Sequence, residues 1–363
     1  MAAVIPLARP LLGPAETEAV QAVLQSGMLV QGERVAAFED ALGQRVGRCF
    51  AVAVSSGTSA LVLGLEALGV SAGDEVLCPA LTWPSPAHAI RLLGATPVLV
   101  DVDADDWNGA PSAYASARGP NTKLAIVIDQ FGNPVRRAQL EDVLGGLPML
   151  EDAACALGSH FDGSACGSFG AISTLSFHPR KVLTTGEGGA CLTDDPELAA
   201  HLRALRNHGQ SAPGEFFEAA GNHRLTELAA AIGLGQLARL DTMVEERIRL
   251  AKRYAQALAA KCPELRLQGT PAGARTNHQT LGVRLPDSTP RAEVIRRMHD
   301  REVGAGLLSY SLSRLPHLGC EATVTPVADA LADHGLALPL FEGMTMDQVD
   351  EVVAALEHAL GAP

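Results

Sequence analysis

An acid, a hydroxyl and an amine lie within one stretch of the chain, residues 149–193. Asp152 follows a short apolar run, Ser176 ends a second run of apolar and small residues, and Lys181 comes shortly after it. Each run predicts a buried strand, and ligands of open α/β sheets bind at the carboxyl ends of strands. We therefore expect the three side chains to meet at one end of a sheet.

These three groups suit the chemistry of pyridoxal phosphate (PLP). A lysine amine, with an ordinary pKa near about 10.4, forms a Schiff base with the aldehyde once burial disfavours its charged form. A carboxylate keeps the pyridine nitrogen protonated, so that the ring can accept electrons. Lys181 and Asp152 are the candidates. An isolated acid or lysine is more often a solvated surface residue, so the assignment depends on the rest of the stretch.

The whole stretch resembles the PLP-dependent sugar aminotransferases of the DegT/StrS family. The family pattern has an EDxA segment, a glycine-rich turn and an SFH segment with a lysine and TGEGG. Here the corresponding residues are 151–158 (EDAACALG) and 176–189 (SFHPRKVLTTGEGG). The resemblance implies that Asp152 pairs with the pyridine nitrogen, Ser176 binds the cofactor phosphate and Lys181 holds PLP as a Schiff base.

Two positions depart from the family pattern. Cys155 stands where the family commonly has glutamine, near the phenolic oxygen of the cofactor, and Val182 stands where it commonly has asparagine. The resemblance therefore implies that Cys155 belongs to the cofactor site, and leaves the role of its thiol open.

A run of small residues, 55–61 (SSGTSAL), leads into a helix predicted over 60–68. Backbone N–H groups at a helix N-terminus bind anions, although hydroxyl residues at this position are often simple helix caps. The run matches the SSGTxAL motif of the family. The resemblance implies that Gly57, Thr58 and Ser59 bind the cofactor phosphate.

Three further residues receive roles from the resemblance. Trp83 alone would be read as a core aromatic, but the family places an aromatic against the face of the cofactor ring. The asparagine matching Asn222 reaches the phosphate of the neighbouring subunit, which predicts a homodimer with shared sites. Tyr310 stands at the tyrosine of a substrate motif, with Ser311 and Ser313 replacing its proline and histidine. This segment is therefore the weakest basis for predicting which sugar the protein binds.

Strands alternate with helices to about residue 195, which predicts a mostly parallel, helix-flanked sheet. Pro14 and Gly27 predict the ends of the first helix. From about residue 241 a long amphipathic helix leads into a second region. We expect a large PLP-binding domain with an N-terminal arm over 1–240 and a smaller C-terminal α/β domain over 241–363. The resemblance implies fold type I of the PLP-dependent transferases.

Composition narrows the function classes. The chain of 363 residues is 47% hydrophobic and 19% charged, as expected of a globular enzyme. Its net charge of −13 and lack of a long basic run argue against a nucleic-acid partner. Seven cysteines without a CxxC pattern indicate neither a disulfide framework nor a metal site. No leader and no membrane-length apolar run are evident, which predicts a cytoplasmic protein without a membrane partner.

The sequence thus predicts a PLP-dependent aminotransferase that moves an amino group, from glutamate, to a keto group of a nucleotide-linked deoxysugar. A PLP-dependent sugar dehydratase is one alternative, but those relatives replace the lysine with histidine, and Lys181 argues against it. Amination of an aminocyclitol ketone is a second alternative. A non-catalytic regulatory protein on the same scaffold is a third, although such a protein need not retain Asp152, Ser176 and Lys181 together.

Overall fold

In the computed structural model, which describes residues 5–361, helices and strands alternate along the chain. The helices are α1 (Pro14–Ser26), α2 (Glu33–Val46), α3 (Gly57–Ala67), α4 (Ser85–Leu92), α5 (Pro111–Ala117), α6 (Arg137–Leu144), α7 (Pro196–Arg206), α8 (Glu227–Ala238), α9 (Leu240–Lys261), α10 (Arg291–Asp300), α11 (Pro326–His334) and α12 (Met346–Gly361). The strands are β1 (Phe50–Val54), β2 (Glu75–Pro79), β3 (Leu81–Thr82), β4 (Thr96–Val100), β5 (Thr122–Ile128), β6 (Met149–Asp152), β7 (His160–Phe161), β8 (Ser164–Ala165), β9 (Ile172–Ser176), β10 (Gly189–Thr193), β11 (Gln210–Ala212), β12 (Glu215–Phe216), β13 (Arg266–Leu267), β14 (Ala274–Arg275), β15 (Leu281–Arg284), β16 (Gly306–Leu307), β17 (Tyr310–Ser311) and β18 (Gly335–Leu338). Short 3₁₀ turns occupy Gln130–Gly132, Leu312–Arg314 and Pro316–Leu318.

Helix ends follow the residues that cap them. Helix α1 begins at Pro14, as predicted, and ends before Gly27, whose φ of 69° is the left-handed conformation that glycine adopts without strain. Helix α7 begins after Asp195, whose carboxylate accepts the N–H of Glu197 at 2.8 Å. Local sequence therefore determines where these helices start and stop.

The central sheet has the strand order β1-β10-β9-β6-β5-β2-β4. Strands β9, β6, β5, β2 and β4 run parallel, and β10 runs antiparallel to both of its neighbours. The carboxyl ends of the parallel strands share one edge of the sheet, and β10 begins at that edge. The predicted mostly parallel, helix-flanked sheet is confirmed.

Strand β5 shows why this sheet is buried on both faces. Leu124, Ile126 and Ile128 belong to one hydrophobic core, while Ala125 and Val127 belong to another. Side chains alternate between the faces of a strand, so a continuous apolar run supplies two cores at once. Polar residues at the end of such a strand therefore lie at the sheet edge.

A second, antiparallel sheet has the order β13-β15-β18-β16 and packs against α9, α10 and α12. The predicted domain boundary at residue 241 lies one residue inside α9. Ile5 forms a β-bridge with Val303 and packs into the core of this second sheet, so the N-terminal arm returns to the C-terminal region. No helix within residues 5–361 is long and apolar enough to cross a membrane.

Residues 306–310 (GLLSY) predict a single strand, but the structure has two short strands there, in different sheets. Gly306–Leu307 pairs with β18, whereas Tyr310–Ser311 pairs with β3 beside the central sheet. The prediction of one strand was wrong because the chain leaves the second sheet after Leu307 to reach its new partner. Tyr310 consequently lies opposite Thr82, next to Trp83.

Candidate active site

The predicted acid and hydroxyl end two adjacent parallel strands. Asp152 is the last residue of β6 and Ser176 the last of β9, with Asp152 in register with Thr174. Gly189, which begins β10, lies opposite Ser176. Lys181 lies in the loop from β9 to β10. The structure thus brings the three predicted groups to the carboxyl edge of the sheet.

Asp152 is buried and only partly satisfied. Its Oδ1 accepts the N–H of Ala154 at 3.1 Å, and within residues 5–361 no donor reaches Oδ2. Burial raises the pKa of the Asp152 carboxyl above its usual value, while the Ala154 N–H and the charge of Lys181 oppose that rise. An additional cation at Oδ2, such as a pyridinium nitrogen, would stabilise the charged carboxylate.

Lys181 is held in a turn with its amine facing Cys155. Its N–H donates to the carbonyl of His178 at 2.8 Å, and the N–H of Thr185 donates to that of Phe177 at 3.0 Å. Phe177 is fully buried and anchors the turn. The Nζ atom of Lys181 lies 3.0 Å from Sγ of Cys155. The half-buried amine is therefore positioned by a folded loop and by a contact with sulfur.

The predicted phosphate motif forms the N-terminus of α3. Ser56 caps this helix, its Oγ accepting the N–H of Ser59 at 3.0 Å. The first N–H groups of a helix have no intrahelical partner, so those of Gly57 and Thr58 are available to an anion. Thr58 Oγ1 lies 3.0 Å from Ser85 Oγ, at the start of α4. Hydroxyls and N–H groups thus face one small region.

Ser176 lies against this helix N-terminus, where Gly57 allows a close approach. A Cβ atom at Gly57 would lie 2.7 Å from Cβ of Ser176, so a larger residue would push the two elements apart. The structure brings Gly57, Thr58, Ser59 and Ser176 together, as expected of a phosphate site.

Trp83, which is exposed, and Tyr310, which is half-buried, form an aromatic wall. Trp83 is 62% exposed and its ring makes an edge contact with Tyr310, with centroids 5.6 Å apart. The other tryptophan, Trp107, is only 2% exposed and belongs to the core. The reading of Trp83 as a core residue is therefore excluded, and a large aromatic surface remains for a ligand.

Asn222 lies on the surface beside the same helix N-terminus. It forms a β-bridge with Asn207, and its Oδ1 accepts the N–H of Arg224 at 3.4 Å. The next residue, His223, places Nδ1 3.2 Å from Ser59 Oγ of its own chain. The segment therefore flanks the phosphate site, and the reach of Asn222 into a neighbouring subunit stays a prediction.

Sequence reasoning missed residues that support the site. Asn277 is fully buried, and its Nδ2 donates to the carbonyls of Cys155 and Leu157, each at 2.9 Å. It lies 122 residues from Cys155, and no local pattern signals the contact. His223, by contrast, stands next to Asn222 in the family motif, so the motif itself could have indicated it.

One group of buried side chains has metal-like spacing. Asp129, Glu151 and Cys166 offer atoms within 4.8 Å of one another. The Glu151 oxygens already accept the N–H groups of Gly167 at 2.9 Å and Phe169 at 2.7 Å. A metal would have to displace these bonds, so the cluster is better explained as a pair of buried carboxyl groups.

The donor set of the site fits PLP. A positioned amine at Lys181, a buried carboxylate with a free oxygen at Asp152, and a helix N-terminus with hydroxyls at Ser59 and Ser176 match its aldehyde, pyridine nitrogen and phosphate. These groups occupy one edge of one sheet.

Comparison with known proteins agrees with this fit. The sequence profile of the DegT/DnrJ/EryC1/StrS aminotransferase family matches residues 10–357. The aminotransferase TlmJ from Streptoalloteichus hindustanus is 34% identical, with a TM-score of 0.93 over 98% of both chains. DesV from S. venezuelae, solved with a ketimine intermediate, is 30% identical, with a TM-score of 0.91 over 96% of this chain and 95% of that one. A 3-amino-5-hydroxybenzoic acid synthase is 28% identical, with a TM-score of 0.92 over 99% of both chains.

The fold and these matches define a PLP-dependent aminotransferase of fold type I. The chain belongs to the DegT/DnrJ/EryC1/StrS aminotransferase family, as the resemblance of its motifs implied.

Proposed function

We propose that this protein transfers an amino group from glutamate to the keto group of a nucleotide-linked deoxysugar. The observation that carries the proposal is the convergence of Asp152, Ser176 and Lys181 beside the N-terminus of α3. Membership of a family of sugar aminotransferases supports the reaction type.

Each of these residues then has a distinct task. Bound PLP supplies an electron sink for the charge that develops when a proton leaves the substrate carbon. Asp152 holds the proton on the pyridine nitrogen, and Gly57, Thr58, Ser59 and Ser176 hold the phosphate. Trp83 would offer its ring to the aromatic ring of the cofactor. Lys181 would hold the cofactor through its amine and, when that amine is free, would move the substrate proton as general base and general acid.

The substrate side is formed by Tyr310. The neighbouring hydroxyls are occupied, because Ser311 Oγ and Ser313 Oγ both donate to Asp329 Oδ1, at 2.6 Å and 3.2 Å. Both serines are buried. The phenol of Tyr310, beside Trp83, is therefore the polar group that this segment offers to a sugar nucleotide.

Borohydride reduction tests the assignment of the lysine. Reduction of the carbon–nitrogen double bond between Lys181 and the cofactor gives a stable secondary amine, so a single labelled peptide containing Lys181 is expected. Lys252→Arg, at another of the four lysines of the chain, is the matched control and should label normally. Labelling of any other lysine in the unmodified protein would refute the role of Lys181.

A substrate panel tests the acceptor. Purified enzyme with glutamate is offered keto-deoxysugars linked to different nucleotides, and aminocyclitol ketones, and 2-oxoglutarate is measured. We expect product only with nucleotide-linked sugars. Product with the cyclitol ketones alone would replace the proposed acceptor while leaving the aminotransferase reaction intact.

We further propose a homodimer with shared sites. Large apolar side chains, Met28, Val30 and Phe216, are exposed at 64%, 61% and 63%, which is typical of a protein interface. A two-fold axis would make both sites equivalent, with Asn222 completing the phosphate site of the neighbour.

Mixing inactive subunits tests the sharing. When Lys181→Ala and Asn222→Ala subunits exchange, a mixed dimer has one site with both changes and one with neither, so activity should return. Size-exclusion chromatography and tagged subunits show whether exchange has occurred. Demonstrated exchange without recovery, from an inactive Asn222→Ala parent, would mean that Asn222 serves its own subunit.

A further inference from the structure

A thiol and an amine face each other at the site. Sγ of Cys155 lies 3.0 Å from Nζ of Lys181, within hydrogen-bond distance for sulfur. Cys155 is half-buried, whereas five of the other six cysteines are buried and Cys49 lies on the surface. A lysine ammonium has three donors and no acceptor, and sulfur is a weak acceptor. The amine therefore has a defined partner before any cofactor binds.

The loop that carries Cys155 is held from several directions. Asp152 Oδ1 accepts the N–H of Ala154 at its start, and Asn277 Nδ2 donates to the carbonyl of Cys155 itself, at 2.9 Å. Asn277 is in turn fixed, because its Oδ1 accepts the N–H of Gln279 at 2.8 Å. The backbone that carries the sulfur is therefore held by hydrogen bonds on both sides of Cys155 Cα.

We propose that Cys155 is a positioning residue for Lys181, and that the two side chains form a thiol–amine pair open to modification by bifunctional reagents. By contacting Nζ, the sulfur restricts the orientation of the amine at the proposed cofactor site. The inference rests on the proposed role of Lys181 and assigns a task to a thiol that stands where related enzymes commonly have glutamine.

Ortho-phthalaldehyde probes the pair in cofactor-free protein. A lysine amine and a nearby thiol add to the two aldehyde carbons of the reagent, and loss of two waters gives a fluorescent isoindole. We expect this fluorescence from the unmodified protein. It should fall at least tenfold in Cys155→Ser and in Lys181→Ala, and also when PLP occupies the amine.

The chain offers a matched control for the amine and another for the thiol. It has four lysines, and one of them, Lys261, directly precedes the buried Cys262 in sequence. Lys261→Arg removes that amine, and Cys49→Ser removes the exposed thiol. Both variants should keep the full signal. Fluorescence that survives in Cys155→Ser, or disappears in Lys261→Arg, would overturn the pair.

The proposed positioning of Lys181 by Cys155 needs a second test, because isoindole formation shows only that the two side chains are close. The PLP-loaded protein is titrated by absorbance between pH 5 and 10, in the unmodified form and as Cys155→Ala and Cys155→Ser. Loss of an acceptor for the nitrogen-bound proton should lower the midpoint, by about 0.3 pH unit or more, a twofold change in the equilibrium. The hydroxyl of Cys155→Ser should restore part of it. Asp152 and His178, the neighbouring titratable groups, are the same in all three proteins.

Identical midpoints in all three proteins would overturn the positioning role. The borohydride and isoindole experiments together distinguish a failure of this proposal from a failure of the proposed function. If borohydride labels a different lysine, the role of Lys181 fails while isoindole still forms. If borohydride labels Lys181 but no isoindole forms, the pairing alone fails.

Discussion

Glu151 and Asp152 are consecutive acids in one buried strand, yet their surroundings differ. Successive side chains of a strand point to opposite faces, so the two carboxylates enter separate environments. Glu151 accepts two backbone N–H groups and lies 3.7 Å from Arg137. Asp152 accepts one N–H at Oδ1, and no donor among residues 5–361 reaches its Oδ2. A buried acid with a complete set of donors supports the fold, whereas one with a free oxygen can serve a ligand.

A third acid extends this comparison. Asp129 follows β5, the strand beside β6, and its Oδ1 accepts the N–H of Val135 at 2.9 Å. Its Oδ2 is buried without a hydrogen-bond partner among residues 5–361. Burial and the negative charge of Glu151 raise the pKa of Asp129 well above its usual value. This shift favours the protonated form of Asp129, which lies within 4.8 Å of the Glu151 carboxylate.

The largest expected effect is that of Asp152→Asn on catalysis. An amide cannot hold the pyridinium proton, so turnover should fall about 10²-fold or more. Stability should change little, because Oδ2 accepts no hydrogen bond from any of residues 5–361. Steady-state kinetics and a urea denaturation curve measure the two quantities. Turnover close to normal in the folded variant would show that Asp152, like Glu151, supports the fold and not catalysis.

Glu151→Gln should show the reverse pattern. The amide NH₂ would face one of the two backbone N–H groups, of Gly167 or Phe169, and leave it unsatisfied. The free energy of unfolding should fall by about 2 kcal/mol, the cost of one buried polar group without its partner. Turnover per folded molecule should stay within about tenfold of normal. Full stability with a large loss of turnover would show that Glu151, like Asp152, serves catalysis rather than the fold.

The effect expected of Asp129→Asn is smallest near pH 4 and grows as the pH rises. Native Asp129 keeps its proton above the ordinary pKa of 3.8, whereas the unfolded chain loses it there. The native state then binds more protons, so this residue makes the unmodified protein less stable as pH rises from about 4. Asparagine mimics the protonated acid and removes this loss.

Relative to the unmodified protein, Asp129→Asn should therefore gain stability with rising pH, by at most about 1.4 kcal/mol per pH unit. Denaturation curves at pH 4.5, 6 and 7.5 measure the trend. Asp152→Asn at the same pH values serves as the comparison at a second buried acid. A variant that loses stability as pH rises would show that Asp129 is ionised in the native protein.

Much of the site could be predicted because its residues are close in sequence. Asp152, Ser176 and Lys181 come from neighbouring strand ends, and Gly57 to Ser59 form one helix start. Strand bounds such as Thr96–Val100 follow from apolar runs between turns. These features depend on local patterns, which a single sequence displays directly.

The sequence by itself determined the chemistry available to this protein: which acid, amine and hydroxyls stand at the ends of which elements. Only the tertiary structure decided how those groups are supported. Asn277 reaches Cys155 across 122 residues, and Tyr310 leaves one sheet to pair with Thr82 of another region. Hydrogen bonds between segments that are distant in sequence depend on how the elements pack in three dimensions. Periodicity and capping residues report local structure only, and so they do not predict these contacts.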